Sequence, residues 1–247
     1  MNAIEQHSIH SPFIYELYTQ IIKSEYPDPN FERIEKIRHK IIGDEREIVM
    51  NDLGAGSKYK NGDKRKIGDI AKQSLSPPKV SKLIYRLIKQ NECEEVVELG
   101  TSLGINSLYM NSSYEKIRLN TFEGDERLAN YAEKVFEMGD SKGIKLIKGD
   151  INKTLSNYLA FSRKIDLAYL DANHTHDATM RYFNMLAKKS HDDTIFIIGD
   201  IHWSSEMERA WKEIKNSPYI TLSIDLFHVG IVFFKPDIAR QHYILEF

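Results

Sequence analysis

The 247-residue chain reads as an α/β protein: a mainly parallel sheet with helices on both faces, a terminal antiparallel hairpin and a helical N-terminal extension. Three observations predict this. Five apolar runs in the middle of the chain each close on an acid: VVE at Glu98, LNTFE at Glu123, LIKGD at Asp150, LAYLD at Asp171 and IFIIGD at Asp200. Segments of helical character separate these runs, and a strand–helix–strand alternation makes the strands parallel. Finally, YITLSIDLF and GIVFFK are separated by only His228 and Val229, too short for a crossover, so they form an antiparallel hairpin.

Ser11-Pro12 supplies a cap and first turn for a helix carrying Ile14, Leu17, Tyr18, Ile21 and Ile22 at helical spacing. Phe31, Ile34, Ile37, Ile41 and Ile42 repeat the pattern. The stretch Gly54–Lys66 (GAGSKYKNGDKRK) is rich in Gly and Lys without periodicity and predicts a mobile surface loop. A helix starts at Pro77-Pro78 with Val80, Leu83, Ile84, Leu87 and Ile88 on one face. Strands are expected at 94–99, 118–123, 144–148, 165–170 and 194–199. The helix after Glu123 turns Leu128, Ala132, Val135 and Phe136 inward and stops at Gly139. The one after Asp171 buries Met180, Phe183, Met185 and Leu186 before Ser190. Residues 1–76 thus read as a helical extension or lid, and 77–247 as the main domain.

The length suits one domain plus an extension. A net charge of −2 and a pI near 6.5 give no global attraction to nucleic acid or an anionic membrane. The single cysteine, Cys93, cannot form an internal disulfide, which suits a reducing compartment. The N-terminal MNAIEQHSIHSPF lacks a basic start and an apolar core, and no apolar run approaches the roughly 20 residues that span a bilayer. A cytoplasmic protein is expected.

Parallel strands bring their C-terminal ends to one sheet edge, where open α/β sheets bind ligands. The five carboxylates would rim that edge, favouring a ligand with donors and positive charge over a pyrophosphate. Two glycine loops compete there, Asp52-Leu53-Gly54-Ala55-Gly56 and Glu98-Leu99-Gly100-Thr101-Ser102-Leu103-Gly104. Only the second follows VVE, opens the apolar run INSLYM and precedes a further strand ending in an acid, Glu123. Glycines at 100 and 104 let the backbone turn sharply and approach a ligand. The Gly-x-x-x-Gly spacing departs from the dinucleotide fingerprint Gly-x-Gly-x-x-Gly. S-adenosylmethionine, with its ammonium, sulfonium, ribose diol and adenine amine, suits the acidic rim. Glu123 is placed to accept both ribose hydroxyls and Asp150 the adenine amine. Asp150 also fits the N-cap of a helix starting at Ile151, and Glu98 fits a helix-dipole partner.

Glu98-Leu-Gly-Thr-Ser-Leu-Gly104, Glu123, Gly149-Asp150, Leu170-Asp171 and the hairpin together resemble a class I S-adenosylmethionine-dependent methyltransferase over about residues 77–235. That resemblance implies a Rossmann-like sheet of seven strands, the last inserted antiparallel beside the fifth. It places Glu98, Gly100, Ser102, Gly104, Glu123, Asp150 and Asp171 around the cofactor. Asp171-Ala-Asn-His174-Thr-His-Asp and Gly199-Asp200-Ile-His202-Trp203 resemble the small-molecule O-methyltransferases, the catechol type and its sugar-acting relatives. HSPF…LGAGS…SPPK resembles a bacterial branch of such enzymes. The resemblance implies a divalent ion (Mg²⁺, Mn²⁺ or Ca²⁺) held by Asp171 and Asp200, which would lower the pKa of an acceptor hydroxyl. Ile201 cannot ligate, Gly199 stands where relatives often place a second Asp, and His202 is the substitute third ligand.

His174, His176, His202 and His228 fall on the expected rim. His202 and His174 are the candidate bases, with Asp171 as the third catalytic candidate. Trp203 fits a stacking surface for a planar acceptor, a cover for the adenosine, or a core aromatic under the helix. The cluster Lys58, Lys60, Lys64, Arg65 and Lys66 reads as a solvated loop or a polyanion contact. The expected partner is a small-molecule acceptor, and a homodimer is compatible with the sequence. Neither membrane nor nucleic acid is expected, and no Asn/Asp-Pro-Pro-Tyr element follows the fourth strand. The alternatives are a nicotinamide-linked oxidoreductase and a non-catalytic cofactor-binding or partner module.

Overall fold

The computed structural model describes residues 11–49, 64–236 and 238–247. The chain divides into two compact units, one of residues 28–163 and one of 1–27 with 164–247. The chain enters through α1 (Pro12–Glu16), which continues as a π-helical turn over Leu17–Ile22. Ile14, Leu17, Tyr18, Ile21 and Ile22 are buried, as their spacing predicted.

In the 28–163 unit, α2 (Pro29–Ile42) starts where Asp28, extended at the N-cap, accepts the Asn30 N–H at 3.0 Å and Pro29 presets the first turn. Its buried stripe is Phe31, Ile34, Ile37 and Ile41. Next come β1 (Glu47–Val49) and β2 (Lys64–Lys66), paired antiparallel with Ile48 opposite Arg65. Lys64, Arg65 and Lys66, expected in a loop, therefore form a strand. The pairing is made by backbone groups, which a sequence without apolar alternation conceals. Gly54, Gly56, Lys58 and Lys60 lie outside the described residues. Two helices follow, α3 (Ile67–Ser74) and α4 (Pro78–Gln90).

Three strand–helix pairs complete this unit: β3 (Glu95–Leu99) with α5 (Ile105–Asn111), β4 (Arg118–Glu123) with α6 (Glu126–Met138), and β5 (Ile144–Lys148) with α7 (Ile151–Phe161). β4 is parallel to β3 on one side and to β5 on the other, Leu99 facing Phe122 and Glu123 facing Lys148. Glu98, Glu123 and Asp150 therefore belong to one sheet edge. Behind it, Phe31, Ile34, Ile41, Tyr109, Val135 and Phe136 share one apolar core, so residues read as N-terminal extension are integral to this unit.

The other unit holds β6 (Leu167–Leu170), α8 (His176–Ala187), β7 (Ile195–Gly199), α9 (Ser205–Lys215), β8 (Leu222–Asp225), β9 (Val229–Phe233) and β10 (Gln241–Ile244). β6 and β7 are parallel, so Asp171 and Asp200 share a C-terminal edge. β9 runs antiparallel to both β7 and β8, the inserted terminal strand that was expected. β10 pairs parallel with β8 and is one strand more than the expected seven. The hairpin turn is Phe227-His228, because Val229 already belongs to β9. On α8 the buried residues are Ala178, Thr179, Tyr182, Phe183, Leu186 and Ala187, with Met180 and Met185 only half-buried. Among the described residues no helix is long and apolar enough to cross a membrane.

Candidate active site

The loop from β3 to α5 has three residues in the left-handed region: Gly100 (φ 97°), Ser102 (φ 50°) and Gly104 (φ 83°). Gly104 is required twice over. Besides its φ, a Cβ there would lie 2.7 Å from the Phe136 ring and 3.2 Å from Ala132 Cβ, so α6 packs against bare backbone. Gly100 and Thr101 both donate their N–H to the Phe122 carbonyl, at 2.9 and 3.1 Å, fastening the loop to β4. From α3, the Ser74 hydroxyl meets the Ser102 hydroxyl at 2.9 Å.

Glu123 ends β4 beside this loop, 9% exposed. Its Oε2 accepts the Ser102 N–H at 2.8 Å and its Oε1 the Asp125 N–H at 2.9 Å. Burial pushes its pKa up to about 7, opposed by the backbone N–H groups of Asp125 and Ser102, while the Asp125 carboxylate adds to the rise. Glu123 therefore braces the glycine loop and keeps lone pairs for further donors. Glu98 is fully buried, and its Oε2 accepts from the Ser107 hydroxyl and, at 2.7 Å, from the Thr121 hydroxyl. It locks α5 and β4 to β3 from inside the fold. Asp150 is exposed and caps α7, its Oδ1 accepting the Asn152 N–H at 3.0 Å and the Asn152 side-chain amide at 2.9 Å.

In the second unit, Asp171, His174 and Asp200 come together with one donor atom of each within 4.8 Å of the others. His174 Nε2 lies 3.9 Å from Asp200 Oδ2. Gly199 makes room, since a Cβ there would overlap the Asp171 carboxylate. Asn173 (φ 60°) and Asp200 (φ 54°) both take the left-handed conformation. Trp203 is 57% exposed, hence no core aromatic, and its ring lies 5.8 Å from that of His174.

His202 points elsewhere. Its Nε2 is 2.9 Å from Asp225 Oδ2, and its Nδ1 is 3.6 Å from Glu208 Oε1. The histidine that meets Asp171 and Asp200 is His174, while His202, expected there as a third ligand, lies against Asp225 and Glu208. His176 bridges Asp177 and Glu213, at 2.9 Å each, and these carboxylates raise its pKa. His228 enters through its backbone, its carbonyl accepting the Asp200 N–H at 2.8 Å. Sequence reasoning missed Asp225. It too closes an apolar run, YITLSID, but the following Leu226-Phe227 masked the signal.

Residues 97–201 match the family described as a methyltransferase domain. No curated protein matches the chain. Among solved structures, the methyltransferase PaMTH1 of Podospora anserina, SAH-bound, superposes with a TM-score of 0.63 at 14% identity, covering 95% of this chain and 100% of that one. The O-methyltransferase of Bacillus cereus in complex with SAH gives 0.59 at 14%, covering 90% and 97%. TomG of Streptomyces achromogenes, an O-methyltransferase involved in tomaymycin synthesis and solved with SAM, gives 0.57 at 14%, covering 94% and 99%. Residues 97–201 are thus similar to a methyltransferase domain, and the superpositions show that the chain has the fold of these methyltransferases.

Proposed function

We propose that the chain transfers the methyl group of S-adenosylmethionine to a hydroxyl oxygen of a small-molecule acceptor. The observation that carries this reading is the glycine loop braced on Glu123, a nearly buried carboxylate at the tip of β4. Such a carboxylate suits a neutral diol, which donates two hydrogen bonds without bringing a second negative charge. The neighbours solved with SAH or SAM, on the same fold, support the same cofactor. Gly100, Ser102 and Gly104 line its loop, Glu98 holds that loop's base, and Asp150 takes the adenine amine alongside its capping role. The α3 contact through Ser74 supports a part for α3 in covering the cofactor.

Asp171, His174 and Asp200 form the proposed acceptor side. Two carboxylates and an imidazole whose ligand atoms lie within 4.8 Å of one another fit a divalent ion, the carboxylates suiting Mg²⁺, Mn²⁺ or Ca²⁺ and the imidazole favouring a transition ion. Bound there, an ion would polarise the acceptor hydroxyl and lower its pKa. With or without it, Asp171 and Asp200 orient the acceptor, and an unligated His174 takes its proton. The sulfonium methyl is already activated, so alignment of the acceptor oxygen at roughly 3–3.5 Å is the main requirement.

Calorimetric titration with S-adenosylmethionine tests the cofactor assignment. Glu123→Ala is expected to weaken binding at least tenfold, and an unchanged affinity removes the ribose role. For the ion, turnover is compared before and after chelation and in Asp200→Ala. An active preparation indifferent to chelation shows that no ion is needed.

A further inference from the structure

Asp225, at the end of β8, is 5% exposed, and both of its oxygens are engaged. Oδ1 accepts the Phe227 N–H at 2.9 Å. Oδ2 accepts the Trp211 indole N–H at 3.2 Å and meets His202 Nε2 at 2.9 Å. A carboxylate only accepts, so the Nε2 of His202 carries the proton. One buried group therefore fixes three aromatic residues.

Phe227 is the unusual one. It sits in the hairpin turn at φ 69°, a conformation that favours Gly or Asn and that bulky side chains rarely adopt. Its ring is 67% exposed, so core packing does not explain a phenylalanine there. The ring stacks on His202 (centroids 5.5 Å apart, planes at 26°) and meets His228 edge-on at 5.4 Å. The turn lies at the tip of β7, where Gly199 pairs with Val229 and Asp200 donates its N–H to His228. Exposed Trp203, packed on His174, flanks the same tip. A strained backbone that several hydrogen bonds hold in place, presenting a solvent-facing ring beside candidate chemistry, points to contact with a ligand.

We infer that Phe227 is an acceptor-contacting residue, with Asp225 as the positioning residue that holds it and His202 in place, and that the acceptor lays a flat ring face on this wall. Naming the ligand as the acceptor rests on the methyl-transfer reading. Aromatic rings and sugars both offer a flat apolar face bearing hydroxyls, so two probes separate them.

Saturation-transfer NMR on the full chain, with and without S-adenosylhomocysteine, would use catechol and methyl β-glucopyranoside as probes. Wild type is expected to transfer saturation to the ring protons of at least one probe; catechol alone marks an aromatic acceptor, the glucoside alone a sugar. Phe227→Gly should reduce the transfer at least fivefold and Phe227→Tyr should keep it. The Tm of Phe227→Gly should equal or exceed that of wild type, because the turn is relieved. The inference is overturned if neither probe responds, if Phe227→Gly leaves the signal intact, or if that variant melts earlier than wild type. It is also overturned if Phe227→Gly dissolves a homodimer while the probe signal persists. S-adenosylhomocysteine affinity, measured by calorimetry on the same samples, judges the methyl-transfer reading separately.

Discussion

Glu123 shows what the environment of a single residue adds to its place in the sequence. Its position after LNTF marked it as a strand-end acid, but burial and the two backbone N–H groups it accepts were not legible, because the loop that donates one of them lies 21 residues away. Burial, only partly offset by those N–H groups, pushes its pKa from the ordinary 4.5 up to about 7. A raised carboxyl pKa means that the folded protein without ligand holds this proton more tightly than the unfolded chain does. Its stabilising contribution is complete below pH 4.5 and is lost as pH rises through 7. Cofactor hydroxyls donate to the carboxylate and not to the acid, so binding pulls the pKa down and releases a proton. Cofactor affinity should therefore increase from pH 5.5 to 7.5, by up to about tenfold per unit below the free pKa. Glu123→Gln should bind weakly with this slope removed. Calorimetry in buffers of different ionisation enthalpy measures the released proton, and a flat affinity profile with no proton release contradicts the assignment. Asp225 marks the opposite limit of reading. Its acid was masked by the Leu226-Phe227 that follows, and its three aromatic partners, which define its role, are brought to it only by the β7–α9 connection, α9 and the hairpin.

At the scale of elements, hydrophobic period carried most of the reading. All five acid-terminated runs are strands or strand ends; α6 buries the face its spacing marked, whereas α8 leaves Met180 and Met185 half-buried. Two short strands and α3 escaped, although α3 buries Ile67, Ile70 and Ala71. β2 is Lys-Arg-Lys, and β10 is four residues at one end of its unit's strands, held by main-chain pairing to β8. The glycine loop was legible because its residue types are forced by geometry. Gly104→Ala should show that force directly. The left-handed φ of 83° and the Phe136 ring at 2.7 Å from the new Cβ together predict a loss of about 2 kcal/mol or more. In a domain of this size that lowers Tm by roughly 4–8 °C, read by calorimetric melting. S-adenosylhomocysteine affinity should fall in the same variant, because α6 must back away from the loop. A variant that melts and binds like wild type would mean the turn tolerates a side chain.

For the whole molecule, the division into residues 28–163 and 1–27 with 164–247 could not be read from composition, since it depends on contacts between segments far apart in sequence. It separates two groups of candidate chemistry. The glycine loop, Glu98, Glu123 and Asp150 lie in the first unit; Asp171, His174, Asp200, His202 and Asp225 lie in the second. If the first group holds the adenosyl cofactor, ligand energy enters the molecule unevenly. At a hundredfold excess of free ligand over Kd, binding stabilises the folded state by about 2.7 kcal/mol. Amides that exchange through local opening should feel that energy mainly where the ligand touches. Hydrogen exchange of the full chain with S-adenosylhomocysteine should therefore slow most over residues 98–105, 123–128 and 149–152. A divalent ion added without cofactor should instead slow residues 171–175 and 199–204. Protection by S-adenosylhomocysteine confined to the second set would reverse the proposed division of labour. Equal slowing at every amide would show that the chain unfolds as a single cooperative body, and the two groups would then have to be separated by Glu123 and Asp200 variants. Because the two ligands are added independently, the experiment separates the cofactor assignment from the metal assignment, which turnover measurements alone would leave entangled.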